Sequence, residues 1–121
     1  MVLHLQLDGD AMDLHGLQGD VANGRRLAGG HALTEANAEG LDLVDVWAAV
    51  VANGQVIEDY PNDPRGPSCL ILCWIGTIPV HAVAAWSPTK GYAFMITVYR
   101  PDRDPKWQWL NNYTTRGPRI P

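Results

Sequence analysis

The chain is expected to fold as an α+β domain, with one or two helices packed on a four-stranded antiparallel meander. Three observations carry that expectation. Residues 55–101 contain four strand-like runs separated by turn signals. A stretch with helical apolar spacing stands just before them. The links between successive runs are short, which favours antiparallel neighbours.

The sequence has 121 residues and a net charge of −4, with 46% hydrophobic and 18% charged residues. That length and balance fit one soluble domain with a modest core. No apolar run approaches the roughly 20 residues that span a bilayer, and no basic-then-apolar leader opens the chain. A cytoplasmic protein without membrane contact is expected. Cys69 and Cys73 fall four apart in one predicted strand, about 13 Å between Cα atoms, too far for a disulfide. They read as buried thiols. Charge is uneven along the chain: residues 1–60 carry ten acids against Arg25 and Arg26, whereas residues 61–121 carry seven bases against three acids. The basic half permits an anionic partner or an acidic protein; solvated surface charge reads equally well.

Residues 2–7, VLHLQL, alternate as a half-buried strand would, and residues 8–30 hold six glycines without a sustained period. Residues 1–30 are therefore expected to be a flexible or irregular lead-in, and residues 31–121 the single domain. HALTEANAE, ahead of Gly40, is rich in helix formers. Asp42 then caps LVDVWAAVVAN, where Leu43, Val46, Trp47, Val50 and Val51 share one face. QVIEDY is the first strand, and PNDPRGP must break it because proline removes donors and fixes φ. SCLILCWI, IPVHAVAAW and YAFMITVY follow. A short helix over 107–113, or a tail, closes the chain.

Turn positions predict the register. Pairing Ile75 with Ile78 sets Leu72 against His81; pairing Trp86 with Tyr92 sets Thr97 against His81 and Tyr99 against Pro79. One face then carries Cys69, Ile71, Cys73, Val80, Ala82, Ala84, Phe94, Ile96 and Val98, ready for a helix. The other carries Glu58, Tyr60, Ser68, Trp74, His81, Met95, Thr97 and Tyr99.

On that mixed face His81 is the best candidate for proton transfer, because imidazole titrates near neutrality. Tyr99 and Tyr60 could orient it or donate to a developing anion, and Arg100 or Arg116 could hold a phosphate. The bland alternative is a satisfied sheet histidine flanked by packing tyrosines. No phosphate-binding glycine loop, nucleophile elbow or zinc spacing occurs, and no cofactor or metal is expected.

Across His31 to Trp107, in order and spacing, the chain resembles the bacterial domain of unknown function 4258. The resemblance runs through His31-Ala32-Leu33, Asp45-Val46, Asn53-Gly54, Val56-Ile57-Glu58-Asp59-Tyr60-Pro61, Pro67-Ser68-Cys69-Leu70, Pro79-Val80-His81, Ile96-Thr97-Val98-Tyr99, Pro101-Asp102 and Trp107. That family is similar to the RelE/ParE-like toxins, so the resemblance implies a RelE-like fold and a toxin-like endoribonuclease of a toxin–antitoxin system. Cleavage would be metal-independent, by attack of the 2′-hydroxyl on the adjacent phosphate. His31, Tyr60, Ser68, His81 and Tyr99 match the family's recurrent polar residues: His31 joins the acid/base candidates and Ser68 the substrate contacts. The implied partners are RNA or the ribosome and an antitoxin protein. One departure stands out. Where the family commonly has arginine after the first histidine, this chain has Glu35, an anion that would repel phosphate. A non-catalytic protein-binding module of the same fold is the alternative, and a homodimer joined through a strand edge is a third reading.

Overall fold

The computed structural model describes residues 11–107 and 112–116. Its elements in chain order are α1 (Leu14–Ala22), β1 (Arg26–Ala28), α2 (Gly30–Ala38), α3 (Leu43–Asn53), β2 (Gln55–Tyr60), β3 (Ser68–Ile75), β4 (Ile78–Ala85) and β5 (Ala93–Tyr99). Two 3-10 turns follow, Pro101–Arg103 and Pro105–Trp107. The fold is α+β. The strand expected over 2–7 lies outside the described residues, as does most of the helix expected over 107–113.

α3 forms as its residues dictate. Asp42 accepts the Val44 amide at 2.8 Å, Asp45 sits in the first turn, and Val46, Trp47, Ala49 and Val50 are buried. α2 ends at Gly40, whose φ of +69° suits a residue without Cβ.

The lead-in is not irregular throughout. Asp13 accepts the Gly16 amide at 3.0 Å and starts α1, which buries Leu17 and Val21. Glycine content hides this helix from propensity, yet Gly16 has a packing reason. A Cβ there would stand 2.3 Å from the Trp86 ring. Trp86 in turn donates its indole N–H to Asp20 at 2.7 Å, locking α1 to the end of β4.

The sheet has five strands in the order β1-β5-β4-β3-β2, and it is mixed rather than an antiparallel meander. β1 pairs parallel to β5, Leu27 opposite Phe94. Three residues are too few to show a period, which is why the strand is invisible in the sequence. β3 and β4 pair as the Gly76 turn predicts, with Leu72 opposite His81. Tyr60 pairs with Ser68.

β5 departs from the expected register. His81 faces Tyr99 rather than Thr97, a displacement of two residues. One is already present at Ala85, which faces Phe94; the other enters where the ladder shifts between Val83, opposite Thr97, and Ala84, opposite Met95. Ile96 is the extra residue. The bulge turns Met95 into the helix-covered core, where it is fully buried, and removes it from the mixed face. Cys69, Ile71, Cys73, Val80, Ala82, Ala84 and Val98 share that core with α1, α2 and α3. Both thiols are free and buried, and burial pushes each up to about 12. No helix among the described residues is long and apolar enough to cross a membrane.

Candidate functional site

Seen from the side opposite the helices, the sheet is roofed in part by the chain after β5. Trp107 is fully buried and stands edge-on to His81, ring centres 4.4 Å apart at 87°. Tyr113 packs edge-on against Trp74 at 6.1 Å. Arg116 returns to β2, its Nε and Nη2 donating to the two Glu58 oxygens at 2.9 and 3.0 Å, with its guanidinium 5.0 Å from the Trp107 ring centre.

His81 therefore sits beneath a lid. It is fully buried, with Nε2 2.8 Å from the Tyr113 carbonyl and Nδ1 3.0 Å from the Tyr99 hydroxyl. A carbonyl oxygen can only accept, so Nε2 carries the proton, and Nδ1 accepts from Tyr99. Tyr113 holds this position in the left-handed region, with a φ of +60°. Burial pulls the His81 pKa from its ordinary 6.5 down to about 4, although the Tyr113 carbonyl and the Glu58 charge work the other way. Burial likewise pushes the Tyr99 hydroxyl well up. The Trp107 indole N–H lies near enough to the Tyr99 oxygen to favour its anion slightly, but makes no hydrogen bond of good geometry. In this arrangement His81 is a neutral strut between sheet and roof, with both ring nitrogens engaged.

That burial predicts a pH effect. The unfolded imidazole takes a proton near 6.5, whereas the folded one resists it until about pH 4. The unfolded state binds more protons in between, so the contribution is full above about pH 6.5 and falls as pH drops toward 4. A gap of this size corresponds to about 3 kcal/mol. Denaturant titrations at a series of pH values should show this loss in the wild type. They should show no such step in His81→Gln, where only the carboxylate losses below about pH 4.5 remain.

Five of the other predicted residues divide between two surface hollows. His31 in the first turn of α2, Tyr60 at the end of β2, and Arg116 line one open cleft of about 550 Å³. Val83, Ile96 and Thr97 line it from the sheet, and Asp63, Pro64 and Arg65 from the loop after β2. Tyr60 donates its hydroxyl to Glu58, and burial together with that carboxylate pushes it up to about 12. Arg116 holds the Glu58 carboxyl below the usual carboxylate range, and Glu58 raises Arg116 in return.

Ser68, expected to touch substrate, is buried instead. Its hydroxyl donates to Asp63 at 2.8 Å, and Asp63 holds Arg65 through a two-pronged fork at 2.9 and 3.0 Å. Ser68 thus positions the loop. Arg65 was not foreseen, although its place among three prolines could have marked a rigid display of a cation. Asp63 is held far below the ordinary carboxylate range, chiefly by Arg65.

Tyr99 and Arg100 border the second hollow, about 400 Å³, with Glu35, Glu39, Arg103 and Lys106. Arg100 forks onto Asp102 at 2.7 and 3.1 Å, and its amide bonds Glu39 at 3.0 Å. Glu35 belongs to this hollow, one turn along α2 from His31. Among the described residues, no three His, Cys, Asp or Glu side chains gather as a metal-binding group.

A mixed sheet with helices on one face and a cation-bearing cleft on the other defines the protein's class at the level of fold and site. The chain belongs to the family described as Domain of unknown function (DUF4258), which matches residues 29–100, from the residue before α2 to the end of β5. α1, β1 and the roof over His81 lie outside that match. No curated protein and no solved structure matches the chain.

Proposed function

We propose that the cleft between α2, β5 and the loop after β2 binds and cleaves RNA without a metal, as the toxin half of a toxin–antitoxin pair with a RelE-like fold. The observation that carries this reading is the meeting of His31, Tyr60, Arg65 and Arg116, from four separate segments, around one open cleft.

The chemistry needs only these groups. Arg65 and Arg116 hold the phosphate and balance its growing charge. His31 takes the proton from the 2′-hydroxyl as O2′ attacks phosphorus. The bond from phosphorus to O5′ breaks, and Tyr60 gives the leaving oxygen its proton. The products are a 2′,3′-cyclic phosphate and a 5′-hydroxyl. Tyr60 is afterwards reprotonated through solvent as His31 releases its proton. The target is free or ribosome-bound RNA in the bacterial cytoplasm, and the partner is an antitoxin protein.

A non-catalytic binding module of the same fold is the second reading. It is favoured by the carboxylates that already engage both arginines, Glu58 on Arg116 and Asp63 on Arg65. Incubation with RNA and with ribosome-bound message in the presence of EDTA separates the two. Fragments ending in 2′,3′-cyclic phosphate, with growth arrest on expression, are the expected result. Intact RNA in both settings and unimpaired growth would leave the binding module.

A further inference from the structure

The outer side of the helix layer carries surface that the cleft chemistry does not use. Leu27, Leu33, Val44 and Val51 are the exposed large apolar side chains among the described residues, 36–61% accessible, and all belong to β1, α2 and α3. Three of them form one continuous surface. Val44 is the shared wall of two shallow hollows, one lined also by Leu33 and the other by Val51. Large contiguous apolar patches rimmed by polar residues mark association surfaces.

The charges at its ends favour a second copy of the chain over a partner of one charge sign. Asp42 lines the hollow on the Leu33 side, and Arg26 lines the hollow on the Val51 side. Val44, the most exposed of the four at 61%, lies between them. A two-fold axis through Val44 would set the Asp42 end of one copy against the Arg26 end of the other, and the reverse. An isologous interface requires this self-complementarity. A partner of uniform charge would meet one of the two ends with repulsion.

From this arrangement we infer that the protein is a two-fold homodimer joined through the outer face of α2 and α3, centred on Val44. Its contacts are helix on helix, so neither β2 nor β1 is consumed as a strand edge. None of the residues that line these two hollows lines the RNA cleft, so the dimer does not depend on what the clefts do.

Sedimentation velocity on the purified full chain, from low micromolar to several hundred micromolar, tests it. The wild type should sediment as a dimer at the upper end. Val44→Asp should raise the dissociation constant by about 100-fold or more, because each copy places this residue at the axis. The position is exposed, so far-UV circular dichroism should stay as in the wild type, and so should the melting temperature at concentrations low enough that both proteins are monomeric. Arg26→Gln and Asp42→Asn should each weaken the dimer by about 3- to 10-fold. Asparagine keeps the cap on α3. The double variant should be little worse than either single, since both remove the same pair. A wild type that stays monomeric throughout overturns the proposal. So does a dimer whose affinity Val44→Asp leaves unchanged, because its interface then lies elsewhere.

Discussion

His31→Ala should lower the RNA-cleavage rate by about 100- to 10,000-fold while leaving the fold intact. The size follows from the role, since removing a positioned proton acceptor forces water to take the 2′-hydroxyl proton. The intact fold follows from place. His31 is exposed in the first turn of α2 and makes none of the side-chain hydrogen bonds found among the described residues. Binding of uncleaved RNA should change far less than turnover, because Arg65 and Arg116 remain. A single-turnover rate with a separate affinity measurement distinguishes the two effects. A His31→Ala protein that binds and cuts like the wild type would remove His31 from the chemistry.

Trp107→Ala should cost about 3–5 kcal/mol of stability, the range for emptying a fully buried aromatic site. Trp107 fills the space over His81 and offers its ring to the Arg116 guanidinium. Alanine would leave a cavity against a buried imidazole and take away the surface on which Arg116 lies. Urea unfolding should show the lower stability. Cleavage should fall too, through a misplaced Arg116, even where the protein is still folded. Trp107→Phe should be much milder. It keeps most of the ring contact and removes a buried indole N–H that makes no hydrogen bond of good geometry among the described residues. An alanine variant as stable as the wild type would mean that the chain after β5 does not rest on Trp107.

How far each feature was legible in the residues follows from the distance over which it is determined. α3 was legible because its cap, its period and the Asn53-Gly54 stop are all local. The β3–β4 register was legible because a two-residue turn leaves little freedom. α1 was hidden by Gly16, whose presence answers to Trp86, seventy residues later in the sequence. The place of β5 is not legible because the link after β4 is one residue longer than a Trp86–Tyr92 pairing implies and nothing in YAFMITVY marks Ile96 as a bulge, the extra residue that flips Met95 into the core. For the candidate site, the residue types were legible but their depth was not. His81 looked open because its strand neighbours are visible in the sequence, whereas the groups that seal it, Trp107 and Tyr113, arrive from beyond β5. Arg100 looked like a phosphate contact until its fork onto Asp102 set it in the other hollow. His31 and Arg116 meet Tyr60 only through tertiary structure.

The central claim divides the two histidines: His31 moves protons, and His81 holds the roof. It is tested most directly by the single-turnover cleavage rate of His81→Gln, measured below its melting temperature beside the wild type. Glutamine can still donate to the Tyr113 carbonyl and accept from Tyr99, but it cannot exchange a proton near neutral pH. The predicted result is a less stable protein that cuts RNA within several-fold of the wild-type rate. A variant that is folded, binds RNA and has lost cleavage by a hundredfold or more would contradict the assignment, and would return proton transfer to His81.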